Sequence, residues 1–132
     1  MLDTFTVILL GEISDPTELL DESVISAITL AELSVGSHVA NDDAERSARQ
    51  QHLQHAEADF DVVPFEGDCG RAFGGVAAAL RTSGRKSAAR GYDALIAASA
   101  IAHAVPLYTC NPDDFAGIPR LELRPVTHPD HR

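Results

Sequence analysis

Short apolar runs, separated by polar and small-residue stretches, recur along all 132 positions of the chain. Leu2 opens a very short strand that ends at Asp3, and Val7-Ile8-Leu9-Leu10 predicts a helix directly after it. Asp15-Pro16 predicts a further helical turn, because proline suits the first helical position behind an aspartate cap. Val24 to Ile28 is β-branched enough for a strand, and Thr29 is the expected cap of a helix carrying Leu30, Glu32 and Leu33. Ala44 to Ala58, rich in Glu, Arg, Gln and His, reads as an exposed amphipathic helix. Phe60 to Phe65 predicts a strand, and Asp68 to Leu80 a helix stopped near Gly84. Tyr92 to Ala104 is small and apolar on nearly every side, the pattern of a helix buried on more than one face. Val105 to Thr109 predicts a strand that ends in an Asn-Pro-Asp-Asp turn, and Leu121 to Val126 a last, edge strand.

Strands alternating with helices predict an α/β fold of three layers, α/β/α, around a central, mostly parallel sheet. The length suits one domain, residues 1–132, with a core that needs no staples. In such sheets ligands collect beyond the carboxyl ends of the strands. Asp3 and Asp114 follow strands and are expected on that rim. Glu32 and Asp93 are expected in first helical turns facing it.

Composition narrows the class. Aromatics make up 5% of the chain, so the core must be aliphatic. No apolar run reaches the roughly 20 residues a membrane span needs. No basic region precedes an apolar stretch at the N-terminus, and two cysteines, Cys69 and Cys110, fit a reducing compartment. A soluble cytoplasmic protein is expected. The net charge of −10 argues against a polyanionic partner, but it is uneven. Residues 1–68 hold 15 acids against Arg46 and Arg49, while residues 69–132 hold five acids against eight bases. Arg71, Arg81, Arg85, Lys86 and Arg90 form a basic stretch free of acids, either a solvated face or a phosphate-contacting patch.

Four carboxylates stand beside apolar runs: Asp3, Glu32, Asp93 and Asp114. Each alone has a structural explanation. Asp3 can cap the following helix, Glu32 can complete a capping box with Thr29, Asp93 can answer a helix dipole, and Asp114 can belong to a turn. Together they suggest a shared cation, since clustered carboxylates otherwise repel until one takes up a proton. Oxygen donors alone suit Mg²⁺ or Mn²⁺ far better than zinc.

Leu2-Asp3-Thr4, the segment Ile25-Ser26-Ala27-Ile28-Thr29-Leu30-Ala31-Glu32-Leu33-Ser34-Val35-Gly36, the segment Asp93-Ala94-Leu95-Ile96-Ala97-Ala98-Ser99-Ala100, and Thr109-Cys110-Asn111-Pro112-Asp113-Asp114-Phe115 together resemble a PIN-domain ribonuclease. The resemblance is nearest to the VapC toxins of bacterial toxin–antitoxin pairs and runs from Met1 to about Pro125. It implies a parallel sheet between helical layers and a metal-dependent endoribonuclease. It carries Asp3, Glu32, Asp93 and Asp114 over as catalytic acids, with Asp3 and Asp93 as metal ligands for Mg²⁺ or Mn²⁺. Asn111 or Asp113 can share the role of Asp114. Thr4 and Thr109 become hydrogen-bonding neighbours. The basic stretch of this chain supplies Arg85, Lys86 and Arg90 as expected RNA phosphate contacts. The implied partners are a VapB-like antitoxin, a tRNA or rRNA substrate and a second copy of the chain, with no membrane. Two departures stand out. Two residues precede Asp3 where the family has several apolar ones, so the true start is expected upstream, and Phe5 stands where a small polar residue is common. These departures keep an inactive binding module open as the alternative.

Other residues carry less. His52 and His55 are three apart on an exposed helix face without a further ligand. His103 ends an apolar helix, where an imidazole is electrostatically favoured. Cys110 has no histidine near in sequence to activate it, and Gly74-Gly75 lacks the Gly-Lys-Ser/Thr of a phosphate loop. A haloacid-dehalogenase phosphatase needs a second aspartate where Phe5 stands. A receiver domain needs a lysine after a late strand, and the sole lysine is Lys86.

Overall fold

Four strands form among the described residues, each three residues long. In the computed structural model, which describes residues 1–13, 19, 23–84 and 89–131, these are β1 (Val24–Ser26), β2 (Asp61–Val63), β3 (Leu107–Thr109) and β4 (Leu123–Pro125). β1 pairs with β2 and β3 with β4, both in parallel. The backbone of residues 1–3 joins the two pairs. The Leu2 amide donates to the Val24 carbonyl at 3.1 Å, and the Tyr108 amide donates to the Met1 carbonyl at 2.8 Å. Leu2 and Tyr108 form a parallel bridge. The order across the layer is therefore β2, β1, residues 1–3, β3, β4, with β4 at one edge as expected.

Side-chain alternation along each strand shows that both faces are covered. Met1, Val24 and Leu107 join one apolar cluster, with Val76, Leu80, Ile96 and Phe115. Their successors Leu2, Ile25 and Tyr108 join the other, with Val7, Leu33, Ala56 and Phe60. The first cluster is roofed by α4 (Gly67–Thr82) and α5 (Ala89–Ala102), which pack on each other. The second is roofed by α1 (Thr4–Leu9), α2 (Ala27–His38) and α3 (Asp43–Asp59). The three-layer α/β/α arrangement expected from the sequence is the observed one. Among the described residues no helix is long and apolar enough to cross a membrane.

Helix ends follow local chemistry, with two differences from expectation. Asp42 caps α3, accepting from the Glu45 amide at 2.7 Å, and Gly84, at φ +79°, closes α4 in the left-handed region that glycine favours. Helix α2, however, starts two residues before Thr29. Ser26 is its cap and accepts from the Ile28 amide at 3.0 Å, so Thr29 lies inside the first turn, fully buried. Helix α5 starts at Ala89, which puts Asp93 in its second turn and not its first. The helical turn expected at Asp15-Pro16 lies outside the described residues.

Helix α5 carries the deepest core, Ile96, Ala97, Ala98 and Ala100 being fully buried. Ser99 is buried among them, and its hydroxyl has no hydrogen-bond partner among the described residues. An unpaired buried hydroxyl costs about 1–3 kcal/mol. Ser99→Ala is therefore expected to raise stability by about 1 kcal/mol, read as a higher urea midpoint at unchanged slope; a lower midpoint contradicts the account. Beyond α5 the chain turns through Ala104 at φ +55°, with the Val105 amide donating to the Ala100 carbonyl at 3.1 Å. A left-handed alanine costs roughly 1 kcal/mol relative to glycine. Ala104→Gly should therefore be stabilising by about that amount in the same assay.

Candidate active site

Three neighbouring strand segments turn polar at their last residue. Ser26 ends β1, Asp3 ends the central segment and Thr109 ends β3, and all three are buried. Each satisfies the backbone that leaves its strand. Ser26 caps α2, Asp3 caps α1 by accepting from the Thr6 amide at 3.1 Å, and Thr109 Oγ1 accepts from the Asn111 amide at 2.9 Å. The cap explanation of Asp3 is thus correct as far as it goes, since one oxygen is used in that way. The other oxygen, Oδ2, accepts from the Thr109 hydroxyl at 2.8 Å. A carboxylate has about four lone-pair sites, so two single bonds leave Asp3 with accepting capacity.

Glu32 is held differently from the capping box its spacing suggested. It lies in the second turn of α2, and its Oε1 accepts from the Thr4 hydroxyl at 2.6 Å. Thr4 Oγ1 also lies 3.1 Å from the Thr29 hydroxyl. Helix α1 thereby links the carboxylate of its own cap, Asp3, to a carboxylate from α2.

The two acids share an electrostatic environment. Burial holds the Asp3 carboxyl above the ordinary carboxylate range; the bonds from Thr6 and Thr109 oppose this, and the charge of Asp114 adds to it. Burial likewise raises Glu32, opposed by the Thr4 hydroxyl and reinforced by Asp3. Asp114 is half-buried in the 3₁₀ turn Pro112–Phe115, whereas its neighbour Asp113 faces solvent. Asp93 is half-buried on α5, which packs against β1, α2 and that same turn. Asp93 and Asp114 are both engaged with their surroundings.

Asp3 thus feels the charge of Asp114, and Glu32 that of Asp3. A hard divalent cation fits the donor chemistry, since the donors are oxygens and the Asp3 and Glu32 carboxylates are desolvated and repel each other. They do not stand as a ready-made cage: among the described residues no three His, Cys, Asp or Glu side chains are grouped closely enough to hold a metal ion. Arg85 and Lys86 lie outside the described residues, as does the side chain of Arg90.

The threonines were partly legible. Thr4 and Thr109 stand in the hydrogen-bonding roles expected of them. Thr6 and Thr29 were missed, although Thr4-x-Thr6 beside an aspartate is a visible signal. Thr6 Oγ1 accepts from the Cys110 amide at 3.0 Å. Burial pushes the Cys110 thiol up, opposed by Thr6 and reinforced by Asp3, so this cysteine is a poor nucleophile. Both cysteines are free. His52 and His55 line an open cavity of about 620 Å³ between α1 and α3, away from the rim residues. His103 Nε2 lies 3.0 Å from the Pro64 carbonyl, a structural bond.

Comparison with known proteins agrees with this fold. The PIN domain profile matches residues 5–121. A solved member of the VapBC family of toxin–antitoxin systems, VapBC-5 from Mycobacterium tuberculosis, is 32% identical, with a TM-score of 0.74 over 95% of this chain and 96% of that one. VapBC2 from Rickettsia felis, solved with a DNA fragment from its promoter, is 25% identical, with a TM-score of 0.77 over 96% and 97%. A toxin–antitoxin complex from Klebsiella pneumoniae is 28% identical, with a TM-score of 0.60 over 91% and 92%. No curated protein matches by sequence. With nearly its whole length matched, by sequence profile and by fold alike, the chain belongs to the PIN-domain family.

Proposed function

We propose that residues 1–132 act as a single-domain endoribonuclease that hydrolyses RNA phosphodiesters with bound Mg²⁺ or Mn²⁺, as the toxin of a toxin–antitoxin pair. The observation that carries this reading is the pair of buried, mutually repelling carboxylates Asp3 and Glu32, with the charge of Asp114 felt at Asp3, at the carboxyl ends of the strands of a PIN domain. The solved VapBC complexes support the pairing with a small VapB-like antitoxin. The homodimer, and tRNA or rRNA as the target, rest on the sequence resemblance.

In this reading Asp3 and Asp93 are the metal ligands, with Glu32 and Asp114 completing the acidic site. When bound, the cation supplies Lewis acidity, making water a nucleophile near neutral pH and offsetting charge that grows at the phosphoryl oxygens. The protein's part is orientation. Thr109 and the Thr6 amide fix the Asp3 carboxylate, and Thr4 fixes Glu32, so the acids need little reorganisation when substrate arrives. No serine or histidine nucleophile is required. Arg85, Lys86 and Arg90 are proposed to hold flanking phosphates, which the acids alone would repel.

The alternative, an inactive PIN-like binding module, is favoured by one observation: the absence of a preformed three-ligand cage among the described residues. Cleavage of a mixed RNA pool under Mn²⁺ titration separates the two. Asp3→Asn and Asp93→Asn are each expected to lower the rate by on the order of 100-fold or more, since several kcal/mol of charge stabilisation are removed, while circular dichroism stays unchanged. Undiminished cleavage in both variants, or in excess EDTA, refutes the metal mechanism.

The raised carboxyls also make the stability of the metal-free protein depend on pH. Between the unfolded value and the raised folded value, the folded state binds more protons than the unfolded state, so stability falls as pH rises. The unfolded references are 3.8 for Asp3 and 4.5 for Glu32. The contribution is fully present below those values and is lost as pH climbs through the folded ones. Metal-free Asp3→Asn should accordingly be more stable than wild type at pH 7, with the gap closing below about pH 4. Mg²⁺ or Mn²⁺ should restore stability to wild type and not to the variant. Thermal melts from pH 3 to 8, with and without metal, provide the check; a gap that widens towards acid would contradict the sign.

A further inference from the structure

Cys110 and Asn111 follow the last residue of β3, and both of their amides donate to threonine hydroxyls. The Cys110 amide donates to Thr6 Oγ1 at 3.0 Å, and the Asn111 amide to Thr109 Oγ1 at 2.9 Å. A hydroxyl has one proton and two lone pairs, so each oxygen that accepts here keeps its proton for another partner. For Thr109 that partner is Asp3 Oδ2, at 2.8 Å. The Thr6 hydroxyl bonds the same carboxyl: burial raises Asp3, and the Thr6 and Thr109 hydroxyls oppose that shift together with the Thr6 amide. The Cys110 thiol competes for the Thr6 proton, since burial raises it and the Thr6 hydroxyl opposes the shift. A protonated thiol is a weak acceptor and a carboxylate a charged one, so the proton goes to Asp3. Thr6 and Thr109 are both fully buried, so solvent does not substitute for either bond.

We propose that Thr6 is a positioning residue of the metal site, its hydroxyl holding the Asp3 carboxylate in one orientation and thereby setting the affinity for Mg²⁺ or Mn²⁺. The inference rests on the nuclease reading, in which Asp3 is a metal ligand. The Thr6 amide meets Asp3 Oδ1 at 3.1 Å, as the amide of any residue at that position of a capped helix would. The hydroxyl bond, in contrast, depends on the side chain, and the neighbouring side chains of Phe5 and Val7 have no donor. Thr6 also ties the carboxylate to the loop that carries the next acid. From Cys110 the chain runs into the turn in which the Asp114 amide donates to the Asn111 carbonyl at 3.1 Å. Groups that orient a metal-binding side chain typically change metal affinity by roughly 10–100-fold.

The test is Mn²⁺ binding without RNA, read from the electron paramagnetic resonance signal of free Mn²⁺, for wild type, Thr6→Val, Thr6→Ser, Asp42→Ala and Asp3→Asn. Far-UV circular dichroism monitors folding throughout. Valine keeps the shape of threonine and removes the hydroxyl, serine keeps the hydroxyl, and Thr6→Ala is read in place of valine should that variant not fold. Asp42→Ala removes the cap of α3 and so lowers stability away from the acids. Thr6→Val should raise the Kd for Mn²⁺ on the order of tenfold, Thr6→Ser should restore the wild-type Kd, and Asp42→Ala should leave it unchanged. An unaltered Kd in Thr6→Val overturns the positioning role alone. So does a failure of serine to rescue, which would mean packing of the methyl group, or equal weakening by Asp42→Ala, which would mean general loosening. A wild type that binds Mn²⁺ no better than Asp3→Asn overturns the metal reading and the role of Thr6 with it.

Discussion

A carboxylate that is 3% exposed, Asp3, must be tolerated at the end of the central strand segment, and the neighbouring structure is arranged around that constraint. Burying an ionised group without partners is prohibitively costly. Asp3 has two donors, the Thr6 amide at the start of α1 and the Thr109 hydroxyl at the end of β3. The same two bonds set where α1 begins and how the chain leaves β3. They compensate burial incompletely, since the carboxyl remains shifted upward. That residual cost separates this aspartate from an ordinary helix cap, whose side chain is solvated, and it gives a cation something to offset.

The threonines extend the constraint across the rim. Thr4 lies next to Asp3 in sequence and donates to Glu32 of α2, while Thr109 ties Asp3 to the strand that leads into the Asp114 turn. Asp3 and Glu32 are thus both held through hydroxyls, which donate without adding charge. Arginines at these positions would neutralise the acids. The arrangement keeps the negative potential high at the rim, in a protein whose first half is already strongly acidic. In the proposed function, substrate affinity would then come from a cation and from the basic stretch in the second half.

Much of this was legible in the chain itself. The short β-branched runs, the small apolar helix around Asp93 and the amphipathic helix from Asp43 announce their type by period and composition, and the structure has them in the expected order. What was misjudged concerned boundaries and partners. Ser26 and Thr29 are both good caps by chemistry. The choice fell to Ser26 because it is the last residue of β1, while Thr29 is drawn inward to Thr4. Helix α5 begins before Tyr92 because Ala89-Arg90-Gly91 does not block helix formation, even though glycine disfavours it. The spacing of Thr29 and Glu32 suggested a local box, and the bond that Glu32 makes reaches back 28 residues to Thr4 instead.

The sequence by itself determined the kinds and order of the elements, the aliphatic core and the set of acids, because these follow from side-chain chemistry and from periods of two and 3.6 residues acting over short distances. The tertiary structure alone decided which acids share a field and which hydroxyl serves which carboxylate. Those outcomes depend on strand order. Residues 1–3 lie between β1 and β3, so positions more than a hundred residues apart become hydrogen-bonding neighbours, and no local pattern encodes that adjacency.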